Sequence, residues 1–140
     1  MAVWHLAQMN VAQARWAVDR PEMADFYAQA PAVNAIAESS PGFVWRLTDD
    51  YGDPLQLVNL SVWESVEALR EFVYRSGHAG VFRDRAKWFE KATRANQVLW
   101  WVPAGHRPGY VEGFERLEML RASGATRDAF GFGAVVDAPE

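Results

Sequence analysis

Strands and helices in the order β, α, β, β, α, α, β, α are what the chain predicts, an α+β fold, and three observations carry that prediction. Apolar runs in strand fashion occur at four places; apolar positions at three- and four-residue steps fill the stretches between them; and Gly, Pro, Ser and Asn clusters separate the two kinds of segment. That order contains the split βαβ pattern, so the expected architecture is a ferredoxin-like, four-stranded antiparallel sheet with an extra C-terminal helix.

Residues 2–10 form the first strand, with His5, Ala7 and Met9 on one face and Trp4, Leu6 and Gln8 on the other. Met23, Phe26, Tyr27, Ala30 and Val33 then mark a helix. Asp19 is placed to cap it and Pro21 sits in its first turn, while Pro31 is expected to kink or split it. The breaker cluster Ser39, Ser40, Pro41 and Gly42 precedes a strand in which Phe43, Trp45 and Leu47 alternate with Val44 and Arg46. A long loop containing Gly52 and Pro54 leads to a strand over 55–63, with Val58, Leu60 and Val62 on an apolar side and Leu57, Asn59 and Ser61 on a partly polar one. Ser65 is a good N-cap for a helix carrying Val66, Leu69, Phe72 and Val73. Gly77 interrupts it, and a further helix is expected from His78 to Thr93, with Phe82, Ala86 and Phe89 on one face. QVLWWV, residues 97–102, is the fourth strand, ended by Pro103; a last helix covers about 111–122, stopped by Ser123 and Gly124. Residues 1–124 read as one domain and 125–140 as a Gly-rich tail, a loosely held strand or an arm.

A chain of 140 residues, half of them apolar or aromatic and 23% charged, is a folded single domain rather than a disordered chain. Net charge is -4 and no segment concentrates Lys and Arg, so the footprint of a nucleic-acid binder is missing. The absence of Cys removes disulfides, thiolate nucleophiles and Cys-ligated metals. With no secretion signal at the start and no run long enough to span a membrane, the expectation is a cytoplasmic protein without a membrane partner.

The unusual number is seven Trp, beside eight Phe and four Tyr. A sheet with helices on one side leaves its other side open, and an aromatic open face, at about 25 cal/mol per Å², favours association. The expectation is therefore a homodimer formed through the open sheet face and enclosing a cavity for a small-molecule ligand, lined in part by the Leu57, Asn59, Ser61 side.

The segment VWESVEALREFVYRSGHAGVF, in which Trp63 ends a strand and His78 follows fifteen positions later, resembles the corresponding stretch of the dimeric alpha-beta barrel superfamily, notably its antibiotic-biosynthesis-type monooxygenases. HLAQMN at the start, RDRAKWF, LWWVPAGHRPG and FERLEMLRASGATRDAFGF resemble, over nearly the whole chain, a bacterial domain of unknown function (thirty-two ninety-one) within that superfamily. The resemblance implies a ferredoxin-like dimeric barrel and a monooxygenase-like enzyme acting on an apolar aromatic or polyketide-like substrate. It also implies two alternatives, a haem-binding protein or haem enzyme with His78 as axial ligand, and a non-catalytic ligand-binding or interaction module. The cofactor is thus either none or haem.

His78 is the first candidate for acid/base work, because imidazole exchanges protons near neutral pH; its bland reading is a helix-end His bonded to a carbonyl. His5 and Asn59 are strand residues able to orient a carbonyl or enolate oxygen if they face the cavity, and a one-residue slip in register turns either away. Asn10 and Gln8 are open to the same two readings. His106 and Arg107, in the loop PAGHRPG, suit the mouth of a cavity or an anionic group, or are solvated side chains of a turn. Trp45, Trp63, Trp88, Trp100 and Trp101 are candidates to stack on a planar ligand or to fill core, and the adjacent pair Trp100 and Trp101 must point to opposite faces. Arg83 and Arg85 suit a substrate carboxylate or a solvated face. There is no phosphate-binding Gly-rich loop, no GxSxG elbow and no compact metal-ligand spacing, and the metal expectation is none.

Overall fold

The computed structural model of the chain describes residues 2–76 and 84–140. Four strands, β1 (Trp4–Gln13), β2 (Phe43–Arg46), β3 (Gln56–Trp63) and β4 (Gln97–Pro103), form one antiparallel sheet in the order β2-β3-β1-β4. With helices α1 (Ala24–Ser39) and α2 (Val66–Ser76) between β1 and β2 and between β3 and β4, this is the split βαβ arrangement that the sequence predicts, with α3 (Tyr110–Ser123) added after β4.

β1 does not stop at Asn10. Val11, Ala12 and Gln13 pair with Val58, Leu57 and Gln56, so the strand continues for as long as β3 offers a partner. α1 runs unbroken through Pro31, whose ring nitrogen has no N–H to give to the Tyr27 carbonyl one turn back. Asp19 does not cap it: a 3-10 turn at Pro21–Met23 leads in, and no side chain caps either segment. Ser65 does cap α2, its Oγ accepting from the Ala68 N–H at 3.1 Å. Gly42, at φ +85°, sets the start of β2 against α2, where an added Cβ would lie 2.4 Å from the Ala68 Cβ.

Within the described part of 78–93 there is no helix beyond a 3-10 turn at Arg85–Lys87. The backbone groups that a helix would use are taken by the end of β1: the Arg15 N–H donates to the Trp88 carbonyl at 2.7 Å and the Glu90 N–H to the Gln13 carbonyl at 2.8 Å. Trp88 is buried there with Ala14, Met23 and Phe26, while His78 and Arg83 lie outside the described residues.

The register assigns every strand residue a side. One face carries Leu6, Gln8 and Asn10 of β1, Leu57, Asn59, Ser61 and Trp63 of β3, and Leu99 and Trp101 of β4; it packs against Ala37 of α1 and Val66 and Leu69 of α2. The other carries His5, Ala7 and Met9, then Leu60 and Val62, then Val98, Trp100 and Val102. This second face is not open, contrary to expectation. α3 lies on it, with Leu117 fully buried and Gly113 so close that an added Cβ would sit 2.4 Å from the Met9 Sδ and 3.3 Å from the Leu60 Cδ1. In the single chain α3 thus fills the side on which the sequence led us to expect an open face.

The tail is held at the edge of β4. Phe130 and Leu99 exchange backbone hydrogen bonds of 2.7 and 2.9 Å, Ala129 and Phe130 are fully buried, and the Trp101 indole N–H donates to the Val136 carbonyl at 2.8 Å. This bridge occupies part of an edge strand that would otherwise present unpaired backbone groups. Among the described residues no helix is long and apolar enough to cross a membrane.

Met9 and Leu60 are both buried beside Gly113, so Gly113→Ala forces these side chains or α3 itself to shift and should destabilise the protein by about 1–3 kcal/mol. A fall in the urea midpoint at unchanged m value is the expected measurement.

Candidate functional site

On the face that α1 and α2 cover, β1 presents Leu6, then Gln8 and Asn10, then Ala12, and β3 presents Trp63, then Ser61 and Asn59, then Leu57. Apolar residues therefore sit at both ends of this face and polar ones across its middle, joined by Gln97 of β4 opposite Asn10. The two ends belong to separate apolar clusters, one around Leu6, Trp63 and Leu69 and one around Met23, Phe26 and Trp88.

The polar belt is tied together side chain to side chain. Gln8 Nε2 donates to Ser61 Oγ at 2.7 Å, and Trp63 Nε1 donates to the same oxygen at 2.8 Å. Longer contacts of 3.5 Å link Gln8 Nε2 to Asn59 Oδ1 and Gln97 Nε2 to Gln8 Oε1. Gln8 and Ser61 are each only 5% exposed, whereas Asn59 is exposed, so the belt runs from buried floor to solvent. A buried amide without partners costs about 1–3 kcal/mol, which is why Gln8 reaches two strands. Ser61 Oγ already accepts two hydrogen bonds, so its own proton is left to donate. The Asn59 amide N–H groups are likewise uncommitted among the described residues. The indole of Trp63 is fixed by stacking on Phe72, 5.1 Å between centroids at 23°, and by an edge contact with Phe43. Such a belt can hold a carbonyl, phenol or enolate oxygen beside an aromatic wall.

Of the sequence-predicted residues, Asn59 and Trp63 meet in this belt. His5 does not join them: it is on the α3 face, paired across the sheet with Val102, and its Nδ1 is buried without a hydrogen-bond partner among the described residues. Trp45, paired with Val62, is on the same α3 side. Its ring receives the Arg107 guanidinium at 5.6 Å. His106 Nε2 meets Glu112 Oε1 at 2.7 Å, and the other carboxylate oxygen, Oε2, accepts from Trp100 Nε1 at 2.8 Å. The adjacent His106 and Arg107 thus fasten the β4–α3 loop at opposite edges of the sheet, β4 through Glu112 and Trp100 and β2 through Trp45. Trp100 and Trp101 point to opposite faces as expected, and Trp88 fills core. Arg85 is exposed on its 3-10 turn, and the axial-ligand role for haem rests wholly on His78, outside the described residues. Among the described residues no three His, Asp or Glu side chains are grouped to hold a metal.

Sequence reasoning passed over Glu112 and gave Gln8 no more than an ambiguous place. The signal for Gln8 was available, since an amide in the middle of an apolar strand needs buried partners, and Ser61 and Asn59 were the polar residues on β3. Glu112 gave no such signal, because a Glu in a first helical turn is ordinarily solvated.

Trp100 is fully buried, so Glu112→Ala should strand its N–H and cost about 1–3 kcal/mol, with Glu112→Gln costing less because the amide oxygen still accepts. Urea titrations in the wild-type and Trp100→Phe backgrounds check this: the Ala penalty should shrink markedly once the indole N–H is gone.

The family described as Domain of unknown function (DUF3291) matches residues 5–140. Among solved structures, the chain is similar to a protein of unknown function from Nitrosomonas europaea, at 12% identity and a TM-score of 0.53 over 78% of this chain and 99% of that one. A conserved protein from Methanosarcina mazei Go1 is similar at 12% identity and a TM-score of 0.53, covering 71% and 92%. A proposed antibiotic biosynthesis monooxygenase from Nitrosomonas europaea is similar at 12% identity and a TM-score of 0.51, covering 78% and 97%. At this identity the likeness is one of fold: a four-stranded antiparallel sheet with two crossover helices. Among curated proteins there is no match.

Proposed function

The chain belongs to the DUF3291 family, and on that premise we propose that it is a small-molecule enzyme of the monooxygenase-like kind, whose site is the polar belt between the sheet and α1 and α2. The observation that carries the reading is the buried Gln8–Ser61–Trp63 node opening onto exposed Asn59. It combines hydrogen-bond donors that have no partner among the described residues with a fixed aromatic wall, in the middle of a face whose two ends are apolar.

The substrate class is a planar, largely apolar molecule bearing a carbonyl or phenol, of aromatic or polyketide-like type. Its ring packs beside Trp63, and its oxygen accepts from the Asn59 amide and the Ser61 hydroxyl. Negative charge on that oxygen, formed when a neighbouring CH₂ loses a proton, is stabilised by the same donors. His78, two positions beyond the end of α2, is the proposed acceptor of that proton. In the simplest oxygenase reaction the substrate CH₂ and O₂ give C=O and H₂O, the substrate supplying both hydrogens and all the electrons that reduce the second oxygen atom.

The test uses 1,8-dihydroxyanthrone as probe, with binding read by quenching of Trp fluorescence and turnover by oxygen uptake. Wild-type protein should exceed the buffer rate, and Asn59→Ala, at an exposed position, should lower kcat by about 10²-fold with little change in Tm. His78→Ala should also lower kcat once the buffer reaction has been subtracted. Equal turnover in wild type and Asn59→Ala would remove the belt from the reaction.

A further inference from the structure

The outer side of α3, turned away from the sheet and from the belt, carries a feature that neither the contacts of Glu112 with His106 and Trp100 nor the proposed site uses. Val111 is 75% exposed and Met119 44%. A broad, shallow groove of about 800 Å³ follows this side of the helix, lined by Tyr51, Tyr110, Phe114, Glu115, Glu118 and Met119 among others. Its aromatic wall is built by the β2–β3 loop. Asx contacts from Asp50 to the Gly52 N–H and from Asp53 to the Leu55 N–H shape that loop, and the Tyr110 hydroxyl donates to the Asp49 carbonyl. Tyr51 is thereby set against Tyr110, 5.2 Å between centroids at 74°, and against Phe114 at 5.4 Å.

The groove is acidic as well as aromatic. Among the described residues no Lys or Arg lines it. Glu115 has no ion-pair partner among the described residues, and Glu118 meets Arg121 at 3.2 Å, a guanidinium that also donates to the Ala95 carbonyl. Burial and then the negative charges of Asp49 and Asp50 raise the Tyr110 pKa, which places those carboxylates within electrostatic reach of the aromatic wall. An aromatic surface with a negative quadrupole, a methionine and an unpaired carboxylate complement one ligand chemistry above others. We propose that this groove binds a small organic cation, an ammonium head carried on an apolar body, with Tyr51, Tyr110 and Phe114 against the apolar part and Glu115 as counter-charge. A second copy of the chain is a poorer occupant, because a two-fold axis through the groove would bring Glu115 and Glu118 of one copy onto those of the other.

The experiment titrates benzyltrimethylammonium into the full-length protein and follows the Met119 methyl resonance, assigned by its loss in Met119→Leu. Neopentylbenzene, the neutral isostere, and benzenesulfonate run in parallel. The expected result is a saturable shift with the cation alone, weakened about tenfold in Glu115→Gln and weakened also in 1 M salt, where the Debye length is about 3 Å. Glu115 lies at the surface, and Glu115→Gln should leave Tm unchanged. An absent or unsaturable shift, or equal binding of the neutral isostere, overturns the proposal. So does a concentration-dependent dimer, seen by light scattering, that moves the same methyl resonance without ligand, since it assigns the groove to a second copy.

Discussion

β1 is enclosed on all four sides, and the rest of the molecule is arranged around that constraint. It lies between β3 and β4 in the plane of the sheet, with α1 and α2 above and α3 below. No side chain in its middle can turn to water, so each polar group there must be satisfied within the protein. Ala7 and Met9 on one face are small or pliable enough for α3 to approach, and the approach is close only because position 113 is Gly. On the other face Gln8 is the exception to an apolar strand, and it is tolerated because Ser61 lies directly across from it.

The same enclosure separates the two polar clusters by kind. Glu112 uses both carboxylate oxygens on Trp100 and His106, and Arg107 rests on Trp45. That set is closed: its groups hold the β4–α3 loop in place and leave His106, at the surface, bound to a carboxylate. The belt around Gln8 is incomplete by comparison, because among the described residues Ser61 accepts twice without donating and Asn59 has uncommitted N–H groups at its exposed end. A site for a carbonyl or enolate oxygen needs donors that the protein itself does not consume, and that asymmetry is what favours the α1 and α2 side in the proposed function.

Much of the fold was legible because it follows from local rules. Alternation set the sides of β1 and β3, Ser65 marked the start of α2, and Pro103 ended β4. What failed were features decided by distant partners. Residues 84–93 carry a helical apolar spacing, yet Trp88 and Phe89 are drawn into the end of β1, whose unpaired backbone outbids a short helix. The tail has the composition of a loose arm, and only the free edge of β4 explains why Phe130 is buried. At the site, Asn59 and Trp63 were readable from one strand's alternation. The exclusion of His5 was not, since the side it takes depends on which face α3 covers, and nothing local to β1 distinguishes the two.

The aromatic content shows how that one helix changes the reading of a composition. Seven Trp seemed too many for a sheet with a single covered face. With α3 in place there are two covered faces and a third cluster at the end of β1, and each takes its share. Trp63 and Trp101 lie on the face of α1 and α2, Trp45 and Trp100 lie under α3 and its loop, and Trp16 and Trp88 pack with Phe26. An aromatic side chain buries about 150–250 Å², so a second covered face takes up much of that aromatic surface within the single chain. None of the seven is exposed. Exposed apolar surface is found on the outer side of α3 as well, where Val111 and Met119 stand beside tyrosines and carboxylates. A surface of that mixed chemistry selects for charge as well as for contact area, which a bare sheet face would not do.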